Sequence, residues 1–161
     1  MAARTSTGSR AKGLSDMGTA NNASNRSGVP QATGTPQALA GVTVLEIASA
    51  PGACFTASLL ADFNARVWVC ESLPKGSAMR ALEPREWWSI AARNKKSVAV
   101  DPAAPGADEV IKSLLSLAHV IVTDVAPAER DKHPWLRVVD SLSRKPLLVD
   151  VVPTGADRPD A

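Results

Sequence analysis

Between Gly41 and Glu71 the chain reads GVTVLEIASAPGACFTASLLADFNARVWVCE, and its apolar positions change period along the way. Val42-Thr43-Val44-Leu45-Glu46-Ile47 is a β-branched run of strand length. A turn with Gly52 follows, then Phe55, Leu59 and Leu60 at helical spacing, then a second strand, Arg66-Val67-Trp68-Val69-Cys70. This is a βαβ unit. Its strands have the composition of inner strands covered by helices, and Phe55, Leu59 and Leu60 predict one apolar face on the crossover helix.

The same reading continues downstream. A turn-rich loop, Ser72 to Ser77, leads to a short helix around Glu86–Ala92 and a third strand, Ser97–Asp101. Val110, Ile111, Leu114 and Leu115 mark a helix over Ala107–Leu117, opened by Asp108 and Glu109, which suit a helix N-terminus. His119–Thr123 and Leu147–Val152 are a fourth and a fifth strand, with a mostly polar helix expected over Trp135–Ser143 between them. This order predicts an α/β fold, a Rossmann-like and mainly parallel sheet with flanking helices, whose ligand lies at the strand C-termini.

Residues 1–37 are different in kind: Ser, Thr, Gly, Asn and Ala with almost no large apolar residue, so the expectation is a disordered leader. The remainder, 38–161, is long enough for one domain. With 161 residues, 45% hydrophobic and 21% charged, the chain has ordinary soluble composition, and a net charge of +2 gives no case for nucleic acid. No stretch reads as a membrane span. Cys54 and Cys70 lack metal-ligand spacing, so no metal is expected, and they read as buried thiols of a reducing compartment.

Candidate chemistry belongs to the loops after the strands. Glu71 ends the second strand about 19 residues after Gly52, where α/β folds often hold a ribose hydroxyl, so a nucleotide-like ligand is the first expectation. The basic run Arg93-Asn94-Lys95-Lys96 is balanced between a solvated turn and a phosphate site. Gly52 is the turn's one glycine, so the GxGxxG fingerprint is absent, and Ser49 lacks a GxSxG elbow. His119 reads as a strand-end residue and His133, beside Pro134, as exposed. Trp87 and Trp88 read as packing, with ligand stacking the lesser alternative. The segment Val44 to Gly52 is similar to the opening motif of S-adenosylmethionine-dependent methyltransferases, but Ala48 and Ala50 stand at two of its glycine positions.

From Leu39 to its end the chain more closely resembles the class III CoA-transferase family, the CaiB/BaiF group of formyl-CoA transferases, carnitine-CoA transferases and methylacyl-CoA racemases. Leu39-Ala40-Gly41-Val42-Thr43-Val44-Leu45-Glu46 is similar to that family's first strand and Leu59–Ala65 to its "LLADLGA". Arg93–Asp101 is similar to "RNKRSVALD", Ala118–Pro127 to "ADVVVENFRPG", and Thr154–Pro159 to "TGPYADRP". The resemblance implies an N-terminal, apparently truncated, CoA-binding domain over 38–161. CoA or acyl-CoA would be the substrate, contacted by Ser49, Ala50 and Pro51, by Glu71 and Ser72, by Lys96 and Val100, and by Asp124, Val125 and Lys132. Three positions depart from the family pattern: Ser72 for a basic residue, Asn64 for glycine, and Asp124-Val125 for Asn-Phe. The aspartate that attacks the thioester in this family lies beyond Arg158-Pro159, so no catalytic residue is assigned, and transferase and racemase both stay open. The resemblance further implies a cytoplasmic protein and a homodimer, or a partner supplying the C-terminal part. A non-catalytic CoA-binding or interaction module is a further alternative.

Overall fold

Residues of a strand point alternately to the two faces of a sheet, and on the inner strands here both faces are covered, so Val44–Ile47 and Ile121–Thr123 are buried without a break. Residues 38–152 are described in a computed structural model; the leader 1–37 and the loop Thr154–Pro159 lie outside them. The elements are β1 (Thr43–Ile47), α1 (Pro51–Asp62), β2 (Arg66–Ser72), α2 (Glu86–Ala91), β3 (Lys96–Val100), α3 (Ala107–Ser116), β4 (Val120–Thr123) and β5 (Leu147–Asp150). The sheet has the order β3-β2-β1-β4-β5, and all four pairings are parallel. Val44 and Val122 face α1, while Leu45, Ile47 and Ile121 pack with Ile111 and Leu115 of α3 and with Trp135. The chain builds outward from β1 through β2 to β3, then crosses back to β4. The strand order therefore reverses between β1 and β4, the place where open α/β sheets leave a crevice.

Two expectations need correction. Helix α1 does not bury Phe55, Leu59 and Leu60: its inward face is Ala53, Cys54, Ala57, Ser58 and Ala61, and Leu59 is 56% exposed. Small side chains let the helix lie close to the sheet; Leu59 is turned out, Phe55 meets Trp87 edge-on at 5.9 Å, and Leu60 packs, partly buried, at the edge of that core. The stretch Trp135–Ser143 is not an α-helix. Short 3-10 turns over Pro127–Lys132 and Val139–Ser141 replace it, with bonds such as Leu136 N–H to His133 O (3.1 Å) and Val139 N–H to Leu136 O (3.0 Å). Pro134 removes one donor there, and this tighter winding drops Trp135, Leu136 and Val138 into the core together.

Three residues of the basic run are held by acids of the chain, and Lys96 is exposed. Arg93 and Asn94 both donate to the carboxylate of Asp62, at 2.7 and 3.0 Å, with Asn94 at a φ of 60°. Lys95 goes inside. Its ammonium pairs with Glu46 of β1 and donates to the Cys54 carbonyl of α1 at 2.7 Å, with 1% and 2% of the two charged side chains exposed. Burial pushes the Glu46 carboxyl above its ordinary value, against the pull of Lys95. It also pushes up the Cys54 thiol, which Glu46 raises further, so this sulfur stays protonated and unreactive.

Removing one member of a buried pair strands the other's charge. Lys95→Met should therefore cost roughly 3–5 kcal/mol in urea unfolding, and adding Glu46→Gln should restore a substantial part of it. A single variant within about 1 kcal/mol of the parent would show that the pair holds nothing together.

Candidate functional site

At the reversal point, the ends of β1, β2 and β4 enclose a crevice of about 170 Å³. Ile47, Ala48 and Ser49 line it from β1 and its turn, Cys70 and Ser72 from β2, and Asp124 and Val125 from the residues after β4. The loop with Gly76 and Ser77 forms one wall and His133 with Trp135 another. A space of this size takes a fragment such as a ribose or one amide of a longer ligand, not a whole nucleotide.

The register explains why β1 and β4 act as a pair. Ile47 lies beside Thr123, so the two residues that follow each strand meet above the sheet. There Asp124 Oδ2 accepts from the backbone N–H of Ser49 (2.9 Å), from the Ser49 hydroxyl (3.2 Å) and from the backbone N–H of Ala50. Ala50 is the N-cap of α1 and Pro51 its first residue, and the first turn carries no acid of its own. Asp124 thus supplies the negative charge that a helix N-terminus favours.

Glu71 is likewise committed. Its carboxylate accepts from Arg80 Nε and a terminal guanidinium nitrogen, both at 2.7 Å, from Ser77 N–H at 2.8 Å, and from the Ser97 hydroxyl. These bonds, with the Arg80 guanidinium nearest, lower its pKa to about 2. The loop can close this far because residue 76 is glycine: its φ is +72°, and a Cβ there would stand 2.9 Å from Glu71 Oε2. Arg80 also lies 4.0 Å over the Trp88 ring. Glu71 is therefore a post that fastens the crevice wall, where sequence reasoning expects a free ribose acceptor. Trp88 packs against the buried Met79 cluster, whereas Trp87 touches Phe55 and is 43% exposed.

Of the other expected site residues, Ser49, Ser72, Asp124 and Val125 come together on the crevice, and Ala50 joins through its N–H. The Ser72 hydroxyl accepts from Trp135 Nε1–H at 3.1 Å. Pro51 is exposed at the start of α1, and the Val100 carbonyl accepts from Leu73 N–H at 2.9 Å, which launches the wall loop. Lys132 is exposed, 3.6 Å from Glu129 and one residue from the lining. Lys96 is the exception. It begins β3 beside Trp68, its ammonium 5.5 Å from that ring, whereas Val100 is the β3 residue level with Ser72.

His133, expected to be exposed, is half-buried on the crevice. Its Nδ1 accepts from Trp135 N–H at 3.3 Å, which puts the proton of the neutral ring on Nε2, and burial lowers its pKa, so it is uncharged at neutral pH. His119 does serve the strand end, its Nδ1 accepting from Thr43 N–H at 3.0 Å. Arg80, Ser77 and Trp135 also shape the site, and short-range patterning does not mark them.

Comparison with known proteins places the fold in a family. The sequence model of CoA-transferase family III matches residues 39–149. A succinyl-CoA–D-citramalate CoA-transferase of Chloroflexus aurantiacus is 33% identical over 98 residues, which is 57% of this chain and 24% of that protein. The beta subunit of a succinyl-CoA–L-malate CoA-transferase from the same organism is 32% identical over 130 residues, 76% of this chain and 32% of that one. The chain thus spans a quarter to a third of the curated relatives it matches. Among solved structures, a hypothetical protein of Mycobacterium tuberculosis superposes with a TM-score of 0.54 at 25% identity, covering 74% of this chain and 34% of that one. A CaiB/BaiF family protein from Brucella suis shares the fold, with a TM-score of 0.53 at 24% identity over 58% of this chain and 27% of its own.

The Glu71 clamp has a pH signature. Its folded pKa lies at about 2, below the ordinary 4.5 that holds in the unfolded chain, so its stabilisation is complete above about 4.5 and is lost as pH falls toward 2. Arg80→Met should remove the largest cause, cost roughly 2 kcal/mol at neutral pH, and flatten the stability profile across that window. An Arg80→Met profile parallel to the parent's between pH 5 and 2 would refute the assignment.

Proposed function

The chain belongs to CoA-transferase family III, and from that premise we propose that residues 38–161 are its CoA-binding domain, with 1–37 a separate leader. The observation that carries this reading is the crevice between β1 and β4, where Ser49, Ser72, Asp124 and Val125 converge, positions the family resemblance marks as ligand contacts. Serine hydroxyls and a neutral His133 suit the amides and hydroxyls of an acyl-CoA. Both curated relatives are named for succinyl-CoA, which favours an acyl-CoA of a dicarboxylic acid as donor and a second carboxylic acid as acceptor.

In the reaction proposed for the longer family polypeptide, an aspartate carboxylate adds to the thioester carbonyl carbon. The CoA thiolate leaves, and an acyl-aspartyl anhydride remains for the acceptor to open. The thioester is already electrophilic, and this scheme assigns no metal. The aspartate is proposed to lie outside 38–152, so residues described here bind and orient CoA without forming the covalent bond.

A multi-subunit assembly, as a homodimer or with a partner that supplies further sequence, is proposed on two grounds. One relative is itself called a beta subunit. The edge strand β5 also leaves Leu147 exposed and Val149 only partly covered. A cytoplasmic location is proposed from the acyl-CoA substrate and from the two buried free thiols. Among the described residues no helix is long and apolar enough to cross a membrane.

Calorimetric titration should give weak binding of CoA and no heat with S-adenosylmethionine. Lys132→Ala should weaken CoA by roughly 1–3 kcal/mol through a lost phosphate partner, and Lys96→Ala should leave it unchanged. Heat from S-adenosylmethionine alone would overturn the reading.

A further inference from the structure

We propose that Asp124 is an internal anion that fills the β1–α1 turn, so that the crevice admits an uncharged hydrogen-bonding part of its ligand and turns phosphate away from that turn. The ligand's identity as CoA rests on the reading above; the claim about the turn does not.

Two backbone N–H groups at the start of a helix, with a serine hydroxyl beside them, are what a phosphate oxygen uses in an α/β fold. Here Ser49 N–H, Ser49 Oγ and Ala50 N–H all converge on one carboxylate oxygen of the same chain. The holder is placed by the parallel register of β1 and β4, which sets Asp124 directly after Thr123, the partner of Ile47. A second anion on these donors would lie against the carboxylate in a partly dry crevice, where like charges repel strongly. Among the described residues the nearby cations are already engaged, Lys95 being buried against Glu46. Arg130, beside Val125, donates to the Val125 carbonyl at 3.3 Å and is paired with Asp150, and His133 is neutral. The remaining polar groups of the lining are the hydroxyls of Ser49, Ser72 and Ser77, the Nε2–H of His133 and the carboxylate itself, a set matched to the amides and hydroxyls of pantetheine.

The test uses the full chain, Asp124→Asn and Asp124→Ala, titrated with inorganic pyrophosphate, CoA and pantetheine while the Ser49 and Ala50 amide resonances are followed. Asp124→Asn keeps the shape and one acceptor without the charge, so it holds the turn if Asp124→Ala loosens it; thermal melts report folding. In the parent, pyrophosphate should leave both amides unmoved, and CoA should bind more tightly than pantetheine by no more than the factor it loses in Lys132→Ala. In the variants pyrophosphate should shift both amides, and CoA should gain about tenfold over pantetheine. Pyrophosphate shifting these amides in the parent would overturn the proposal, as would a folded Asp124→Asn in which it never does. If pyrophosphate behaves as expected and no form binds CoA, the internal anion stands and the CoA reading falls. If every form binds CoA equally and pyrophosphate never reaches the turn, the reverse holds.

Discussion

A single dry ion pair, Lys95 with Glu46, ties together the three parts on which the crevice is built. Glu46 is the penultimate residue of β1, Lys95 stands just before β3, and the same ammonium holds the Cys54 carbonyl in the first turn of α1. Taking two charges out of water costs several kcal/mol each and is offset when the attraction is close and the remaining hydrogen bonds are made. The bond to the Cys54 carbonyl helps meet that condition, and among the described residues no buried side-chain nitrogen or oxygen lacks a partner. The small inward face of α1 is part of the same arrangement. Alanines at 53, 57 and 61 let the helix sit close enough for Cys54 O to be reached from the β3 side.

The site above this anchor has two carboxylates, each already satisfied from within. Glu71 fastens the wall loop through Arg80 and Ser77, and Asp124 fastens the β1–α1 turn to the end of β4. What remains facing the space is a set of neutral donors and acceptors: serine hydroxyls, an uncharged imidazole and the polar edge of Trp135. Such groups select a ligand through hydrogen-bond geometry, and Lys132 is exposed at the margin of the crevice. Neither cysteine takes part as a nucleophile, since burial raises both thiols far from ionisation.

Periodicity located the five described strands, α2 and α3 to within a residue or two and the presence of α1, because β-branched runs and the Val110–Leu115 stripe leave few alternatives. It failed where packing overrides pattern. On α1 the largest apolar side chains suggested the buried face, but distance from the sheet favours alanine, so Leu59 goes outward and Leu60 packs only at the edge of the core. Over Trp135–Ser143 a helical reading overlooked how Pro134 and i-to-i−3 bonding turn Trp135 and Val138 inward together. At the crevice, Ser49, Ser72, Asp124 and Val125 were marked by the family resemblance, and the ends of the parallel strands bring them together. Arg80, His133 and Lys95 were not, since each acts through a partner distant in sequence: Glu71, the crevice itself, and Glu46. Lys96 shows the same limit from the other side, a cation in a suggestive run that the strand register holds below the crevice.

The central claim is that CoA is held in the crevice where β1, β2 and β4 end. Amide hydrogen exchange measured with and without CoA tests it most directly. The account predicts slowed exchange at Ser49 and Ala50, at Ser72 to Ala78, and at Asp124 to Trp135, with Lys96 to Ala99 and α3 unchanged. Slowing confined to β3 and α3, with those three loops unaffected, would contradict it.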